Sequence, residues 1–287
     1  MSRALDAILD HVRAEPSRTW SIIVTIYGDA IVPRGGSVWL GTLLAFFKAL
    51  DISDGVVRTA MSRLASDGWL ERTKAGRNSY YRLAEKGRET FRAATAHIYS
   101  RSAPRWAGHL DLVTAEPVAR PALEAAGFGM LAPGVWVAPG GSAMPEAVMP
   151  DAITARLAAT GDGADLRAIA ARAWPLEATG AAYAGFLNAF RPLAAALAAG
   201  EALSDLDALV ARVLLIHDYR RIVLRDPVLP AELLPPDWPG AVARAVCADV
   251  YARLLPGSER WLDENGVSAP DAPLPPPGPE VWQRFRG

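Results

Sequence analysis

The sequence predicts a multidomain α+β chain, helical at both ends with a small mixed segment between. Three observations predict it. Apolar residues recur at three and four through residues 18–66, and two strand-like runs then flank a basic, glycine-containing tip at 73–78. Strand-like runs and a short helix share residues 109–138, and from Thr179 onward the pattern is again helical.

Arg18 to Ala30 reads as a helix, with Trp20, Ile23, Val24 and Tyr27 on its stripe, and Pro33-Arg34-Gly35-Gly36 as a loop. Val38 to Leu50 carries a second stripe of Leu40, Leu43, Leu44 and Phe47. Ser53 is placed to cap a third helix, its hydroxyl accepting from the free amides of Gly55 or Val56. That helix turns Val57, Ala60, Met61 and Leu64 inward and stops near Asp67-Gly68, where glycine tolerates a left-handed backbone. Trp69–Arg72 and Ser79–Leu83 read as strands joined through Thr73–Asn78, and a helix covers Ala84 to Tyr99.

Three helices followed by a two-stranded hairpin is the order of a winged helix-turn-helix. With its apolar stripe inward, the third helix leaves Arg58, Thr59, Ser62 and Arg63 on or beside its outer face. Guanidinium and hydroxyl groups so placed reach base edges and phosphates in a major groove. The hairpin tip offers Lys74, Arg77, Asn78 and Ser79 for backbone or minor-groove contacts. Charge agrees with this. The chain is near neutral, yet residues 1–103 hold 15 Lys/Arg against 10 Asp/Glu, and residues 72–92 hold seven against two. A basic surface can be merely solvated, and helix-hairpin modules also bind proteins. Concentration of the charge on the hairpin favours double-stranded DNA.

Arg101–Pro104 reads as a boundary. Beyond it, His109–Thr114 and Gly134–Ala138 read as strands around a helix at Val118–Ala126. Leu166–Ala170 reads as a weaker third strand, which makes a small α+β sandwich. Ser204 with Asp207 three residues on resembles a capping box for a helix to about Arg225, ended by Asp226-Pro227. A proline-punctuated connection follows to Gly240, then a helix from Ala241 to Leu255, and Ala269–Pro279 is polyproline-like or disordered. The predicted domains are 1–103, 104–178 and 179–264, with a tail at 265–287.

The 287 residues, 51% hydrophobic and 21% charged, describe a globular chain. No apolar stretch reaches the roughly 18 residues of a membrane span. Asp6, Asp10 and His11 interrupt any signal-like region, so a cytoplasmic location is expected. A single cysteine, Cys247, excludes an internal disulfide. Gly127–Ala132 formally matches a dinucleotide fingerprint, but it follows a helix and runs into Pro133-Gly134. Gly140–Met144 lacks the last glycine of a nucleophile elbow, and the four histidines are dispersed. No cofactor, metal or catalytic group is expected. His217, Arg221 and Arg225 fall at spacings of four late on one predicted helix. That face could bind an anionic effector, or it could pair with Asp218, Asp226 or Glu232 and lock the helical domain.

Several ordered motifs resemble the PaaX family: Pro33–Gly41, Val57–Leu64, Asp67–Leu70, Ser79–Leu83, Gly127–Gly129 with Leu131–Trp136, and Arg225–Pro227 with Leu233–Gly240. The resemblance runs from about residue 18 to 262. It implies a repressor of phenylacetate catabolism with a winged N-terminal domain, a ferredoxin-like middle domain and a helical C-terminal domain. It further implies a homodimer on a palindromic DNA operator, released by phenylacetyl-coenzyme A or a related CoA thioester. The family's reading helix falls on Arg58, Thr59, Ser62 and Arg63, and its wing on Lys74 to Ser79. A regulator of another aromatic or acyl pathway is the alternative within that class. Outside it stand an enzyme acting on the thioester and an RNA-binding or nuclease-like module, for which Asp111 is the candidate metal ligand.

Overall fold

The first apolar stripe forms α2 (Thr19–Ile26), which buries Ile22, Ile23 and Ile26. Its end widens into a π-helical turn, Tyr27–Ile31, and then a 3-10 turn closed by Gly35 in the left-handed region. The structure, a computed structural model, describes residues 3–14, 19–100, 105–148, 152–159, 163–270 and 272–286. The boundary expected at Arg101–Pro104 lies outside them.

Strand β1 (Ser37–Trp39) precedes α3 (Leu40–Lys48), so the helix expected from Val38 starts two residues later. Val38 is buried on the strand, opposite Tyr81. Helix α4 (Asp54–Ser66) buries Val57, Met61 and Leu64 as expected. Ser53 occupies the N-cap position with extended backbone but makes no side-chain cap bond. Strands β2 (Leu70–Ala75) and β3 (Asn78–Leu83) pair up to Ala75–Asn78, so the connecting loop is only Gly76-Arg77. Gly76 has φ +58°, which a two-residue hairpin loop demands and glycine meets without strain. The sheet order is β1-β3-β2, and α5 (Glu85–Ser100) follows.

These elements fold with the chain's later helices. One compact unit comprises residues 1–101, 184–224 and 241–287, and the other 102–183 and 225–240. In the first unit, α9 (Asp205–Val223) is buried continuously from Ala208 to Tyr219. A helix enclosed on all sides has no polar face to show. Its start is capped as expected, Ser204 accepting from the Asp207 amide at 3.1 Å. Helix α1 (Arg3–Ala14) buries Leu5, Ile8 and Leu9 and packs on α9. Helix α10 (Gly240–Asn265) continues well past Leu255, through Pro256. Ser258 Oγ donates to the Leu255 carbonyl there, and buried Glu259 anchors the extra turns. Helix α8 (Leu176–Ala198) contains the boundary between the units.

The proline-rich tail is pinned along this unit. It contains β8 (Val267–Ala269) and β9 (Ala272–Pro273), and β8 packs on β1. Ser37 Oγ donates to the Ser268 carbonyl, and the Gly278 amide to the Pro33 carbonyl. Proline removes only donors, so carbonyls and the remaining amides suffice to hold it.

The second unit is an antiparallel sheet, β5-β6-β4-β7, built from β4 (His109–Thr114), β5 (Gly129–Ala132), β6 (Val135–Pro139) and β7 (Ile153–Ala158). Helix α6 (Arg120–Ala125) follows β4, and α7 (Ala164–Ala173) follows β7. The third strand expected at Leu166–Ala170 is therefore helix. Alanine is a strong helix former, and burial falls on Leu166 and Ala170, one turn apart. Leu110 joins one apolar cluster with Val137 and Trp174, and Val113 another with Leu123 and Trp136.

The first unit is tied by buried charges. Arg212, fully buried, sets its Nε 2.7 Å from Asp29 Oδ2 and its Nη1 on Glu259 Oε1 and Ser258 Oγ. Arg34, also buried, donates to Glu259 Oε2 at 2.8 Å and the Pro275 carbonyl at 2.9 Å. Asp29 Oδ1 accepts from Tyr99, Tyr251 and Arg284. Burial alone would raise the Asp29 pKa, but Arg212 and Arg284, with the Tyr99 hydroxyl, overcome it and lower it.

Removing one member of such a set strands its partners. Arg212→Ala is expected to cost ~3–5 kcal/mol in urea denaturation. Arg253→Ala, which removes an exposed pair with Asp249, leaves the midpoint unchanged.

Candidate nucleic-acid interface

The buried stripe of α4 fixes which side faces outward. Arg58, Thr59, Ser62 and Arg63 are exposed, with Arg58 and Ser62, and Thr59 and Arg63, one turn apart. Thr59 Oγ1 donates to the Gly55 carbonyl at 2.9 Å, which fixes its hydroxyl on the surface. Arg63 lies 3.7 Å from Asp67, both exposed, a pair that a phosphate can readily replace. Arg58 has no ion-pair partner among the described residues.

At the hairpin, Lys74, Arg77 and Asn78 are exposed around the Gly76 turn. Ser79 is not displayed with them. Strand alternation turns it inward, 8% exposed, and its hydroxyl accepts from Arg72 Nη2 at 2.8 Å and Nε at 3.2 Å. Ser79 therefore holds Arg72, which also lies over the Tyr81 ring.

The basic count is thinned in the same way. Arg82 pairs with Glu71 at 2.6 Å, Arg88 pairs with Glu85, and Lys86 sits over Trp69. Glu71 lies one residue outside the charge-rich window, so composition alone misses its effect. Lys74 and Arg77 on the hairpin, Arg58 and Arg63 on α4, and Arg92 on α5 are exposed cations that remain outward-facing.

The His217 group is divided. His217 is 1% exposed, with Nδ1 3.0 Å from Thr25 Oγ1. Burial, then Arg220 and Arg221, push its imidazole down to about 3, so it is neutral near pH 7. Arg221 is half-buried, and Asp218 pairs with His11 at 3.1 Å. Arg225 falls beyond the end of α9, so the spacing of four does not carry to it; it is exposed in the other unit. A reading by fours also passes over Arg220. Its Nε donates to Thr25 Oγ1 at 2.7 Å and its Nη2 to the Ser21 carbonyl and hydroxyl.

The remaining motifs resolve simply. Gly127–Ala132 leads into strand β5 rather than a helix. Asp111 Oδ2 accepts from the Gly141 amide, and Oδ1 lies 3.4 Å from His109. Among the described residues no three His, Cys, Asp or Glu side chains are grouped to hold a metal ion. Nor is any helix among them long and apolar enough to cross a membrane. Cys247 is buried, and burial pushes its thiol pKa up.

Comparison with known proteins gives concordant matches. The family model described as PaaX-like protein matches residues 18–87, and that of the PaaX-like protein C-terminal domain matches 174–264. Transcriptional repressor PaaX of Escherichia coli (strain K12) is 36% identical over 301 residues, covering 99% of this chain and 95% of its own. A solved chain described as uncharacterized protein Rv0674 from Mycobacterium tuberculosis overlays 76% of this chain and 88% of its own. The TM-score is 0.46 and the identity 24%.

Neutral, buried His217 makes stability depend on pH. Below its ordinary value of 6.5 the unfolded chain takes up a proton that the folded chain refuses down to about 3. Stability therefore falls with pH across that window, by about 1.4 kcal/mol per pH unit. His217→Gln should flatten the decline in urea midpoint between about pH 7 and pH 5. An unchanged slope would reject the assignment.

Proposed function

The chain belongs to the PaaX-like family, and from that premise we propose that it is a DNA-binding transcriptional repressor of phenylacetate catabolism. The reading rests above all on the exposed set Arg58, Thr59, Ser62 and Arg63, opposite the buried Val57, Met61 and Leu64 of α4. In this reading α2, α3, α4 and the β2–β3 hairpin are a winged helix-turn-helix. Helix α4 enters the major groove, and Lys74, Arg77 and Asn78 reach the neighbouring backbone.

A homodimer would place two such helices on the half-sites of a palindromic operator. The four-stranded unit is taken as a ferredoxin-like variant, with its second helix after the fourth strand rather than before it. The protein acts by binding, not catalysis. Phenylacetyl-coenzyme A or a related CoA thioester is the proposed effector. It must bind the free and DNA-bound conformations unequally, with a coupling of about 1–3 kcal/mol.

Titration of the purified protein on its own upstream DNA tests the reading. Arg58→Ala should weaken binding by about 1–3 kcal/mol and relax base preference at one position. Arg77→Ala should weaken binding to all sequences alike and lower the salt slope by about one. Equal affinity for wild type and both variants would sink the interface.

A further inference from the structure

Helix α4 begins with two residues that its packing does not use. Its buried side chains are Val57, Met61 and Leu64, whereas Val56 is 48% exposed and Gly55 lies on the outward side, one turn before Thr59. A Cβ on Gly55 would meet nothing within 4 Å, so no neighbour among the described residues requires glycine there. Nor is its φ positive. Glycine is among the poorest helix formers, and valine loses side-chain freedom in a helix. Two such residues in an exposed first turn weaken the helix and add nothing to the core. A missing side chain on an outward face does have one use: another molecule can approach the backbone closely.

Thr59 completes the surface. Its hydroxyl donates to the Gly55 carbonyl at 2.9 Å, so its hydrogen serves the helix's own backbone and its methyl group is the part left unbound. Gly55, Val56 and Thr59 therefore offer a base edge apolar contact and no side-chain donor. They line an open groove with Trp20 and Ala60, and Arg63 stands at its edge. Arg58 lies on the opposite flank of the helix, and both arginines are exposed. An apolar strip between guanidinium groups suits a polyanion whose readable edge carries an apolar group. Among the four DNA bases thymine alone displays one in the major groove, its 5-methyl. The flanking cations, extended by Lys74 and Arg77 on the hairpin, favour a duplex over a protein partner.

We propose that Gly55, Val56 and Thr59 read a thymine of the operator through its 5-methyl group. Gly55 lets the base edge come close, and the Val56 and Thr59 methyls pack against it. The inference rests on the DNA-binding reading and deepens it, adding a base choice that needs no hydrogen bond. Removing one methyl group from water is worth about fourfold in affinity. Salt does not screen that gain, whereas it does screen a contact between Arg77 and a phosphate.

Titration of the full chain on its upstream DNA, with single thymines replaced in turn by deoxyuridine, tests the assignment. Deoxyuridine keeps every hydrogen-bonding group of thymine and lacks only the methyl. Wild type should lose about fourfold in affinity when the contacted thymine is replaced. Val56→Ala should bind the unmodified duplex about fourfold more weakly, bind the deoxyuridine duplex no worse than that, and keep the wild-type salt slope. Gly55→Ala should unfold at an equal or higher urea concentration, yet bind the operator about fivefold more weakly or worse. Val118→Ala, which alters an exposed valine of the other unit, should change neither affinity nor the deoxyuridine response. Sequence-specific binding by wild type that is indifferent to every deoxyuridine overturns the thymine contact and leaves the DNA-binding reading standing. So does a deoxyuridine loss as large in Val56→Ala as in wild type, or undiminished operator affinity in Gly55→Ala. Absence of sequence-specific binding by wild type overturns both.

Discussion

Charges removed from water must find each other, and in this protein that requirement organises the larger unit. Asp29 comes from the π-turn after α2, Arg212 from α9, Glu259 from α10, and Arg34 from the loop before β1. Each carboxylate serves more than one guanidinium, and Tyr99 and Tyr251 complete the shell of Asp29. Apolar packing tolerates sliding. A bidentate charged contact with no water nearby does not, because a small displacement leaves a buried charge unmet.

The result bears directly on α4 and the β2–β3 hairpin. Helices α2, α3 and α4 and the hairpin are built into the same unit as α9 and α10, and α2 packs on both α4 and α9. The hydrogen-bonded set Thr25, His217 and Arg220 lies on that α2–α9 contact. A perturbation there has a short mechanical route to the outward face of α4. Coupling of this kind needs two arrangements of one packed element, not a long chain of intermediates.

Much of this was legible locally. The stripe of α4, its exposed polar face, the glycine-centred hairpin and the Ser204 cap are all set by residues within a turn or two of one another. What was not legible depends on distant partners. Strand β7 alternates Ile153, Ala155 and Leu157 with Thr154 and Arg156, but it is almost wholly exposed, so no buried face reinforces that short run. The tail's prolines allow an extended chain, and only contacts with Ser37 and Pro33 show where it lies. Ser79 looked like a tip residue until strand length fixed the register and turned it toward Arg72. His217 and Arg220 belong to one helix stretch, yet which of them stays charged depends on how α2 packs against them.

The pairing of Asp29 with Arg284 has a consequence for biosynthesis. The two residues are 255 positions apart, so a ribosome finishes α2 to α4 and the hairpin long before it makes the Arg284 guanidinium. Until then Asp29 lacks part of its counter-charge, and Arg34 lacks Glu259 and the Pro275 carbonyl until those positions are made in turn. Domains that close early can fold while the chain is still emerging. This unit closes late, so a message truncated between α9 and the tail yields a nascent chain with unpaired charges in its interior. Such a product is expected to stay open in this region rather than to fold partway, because its buried charges have no partners to close on.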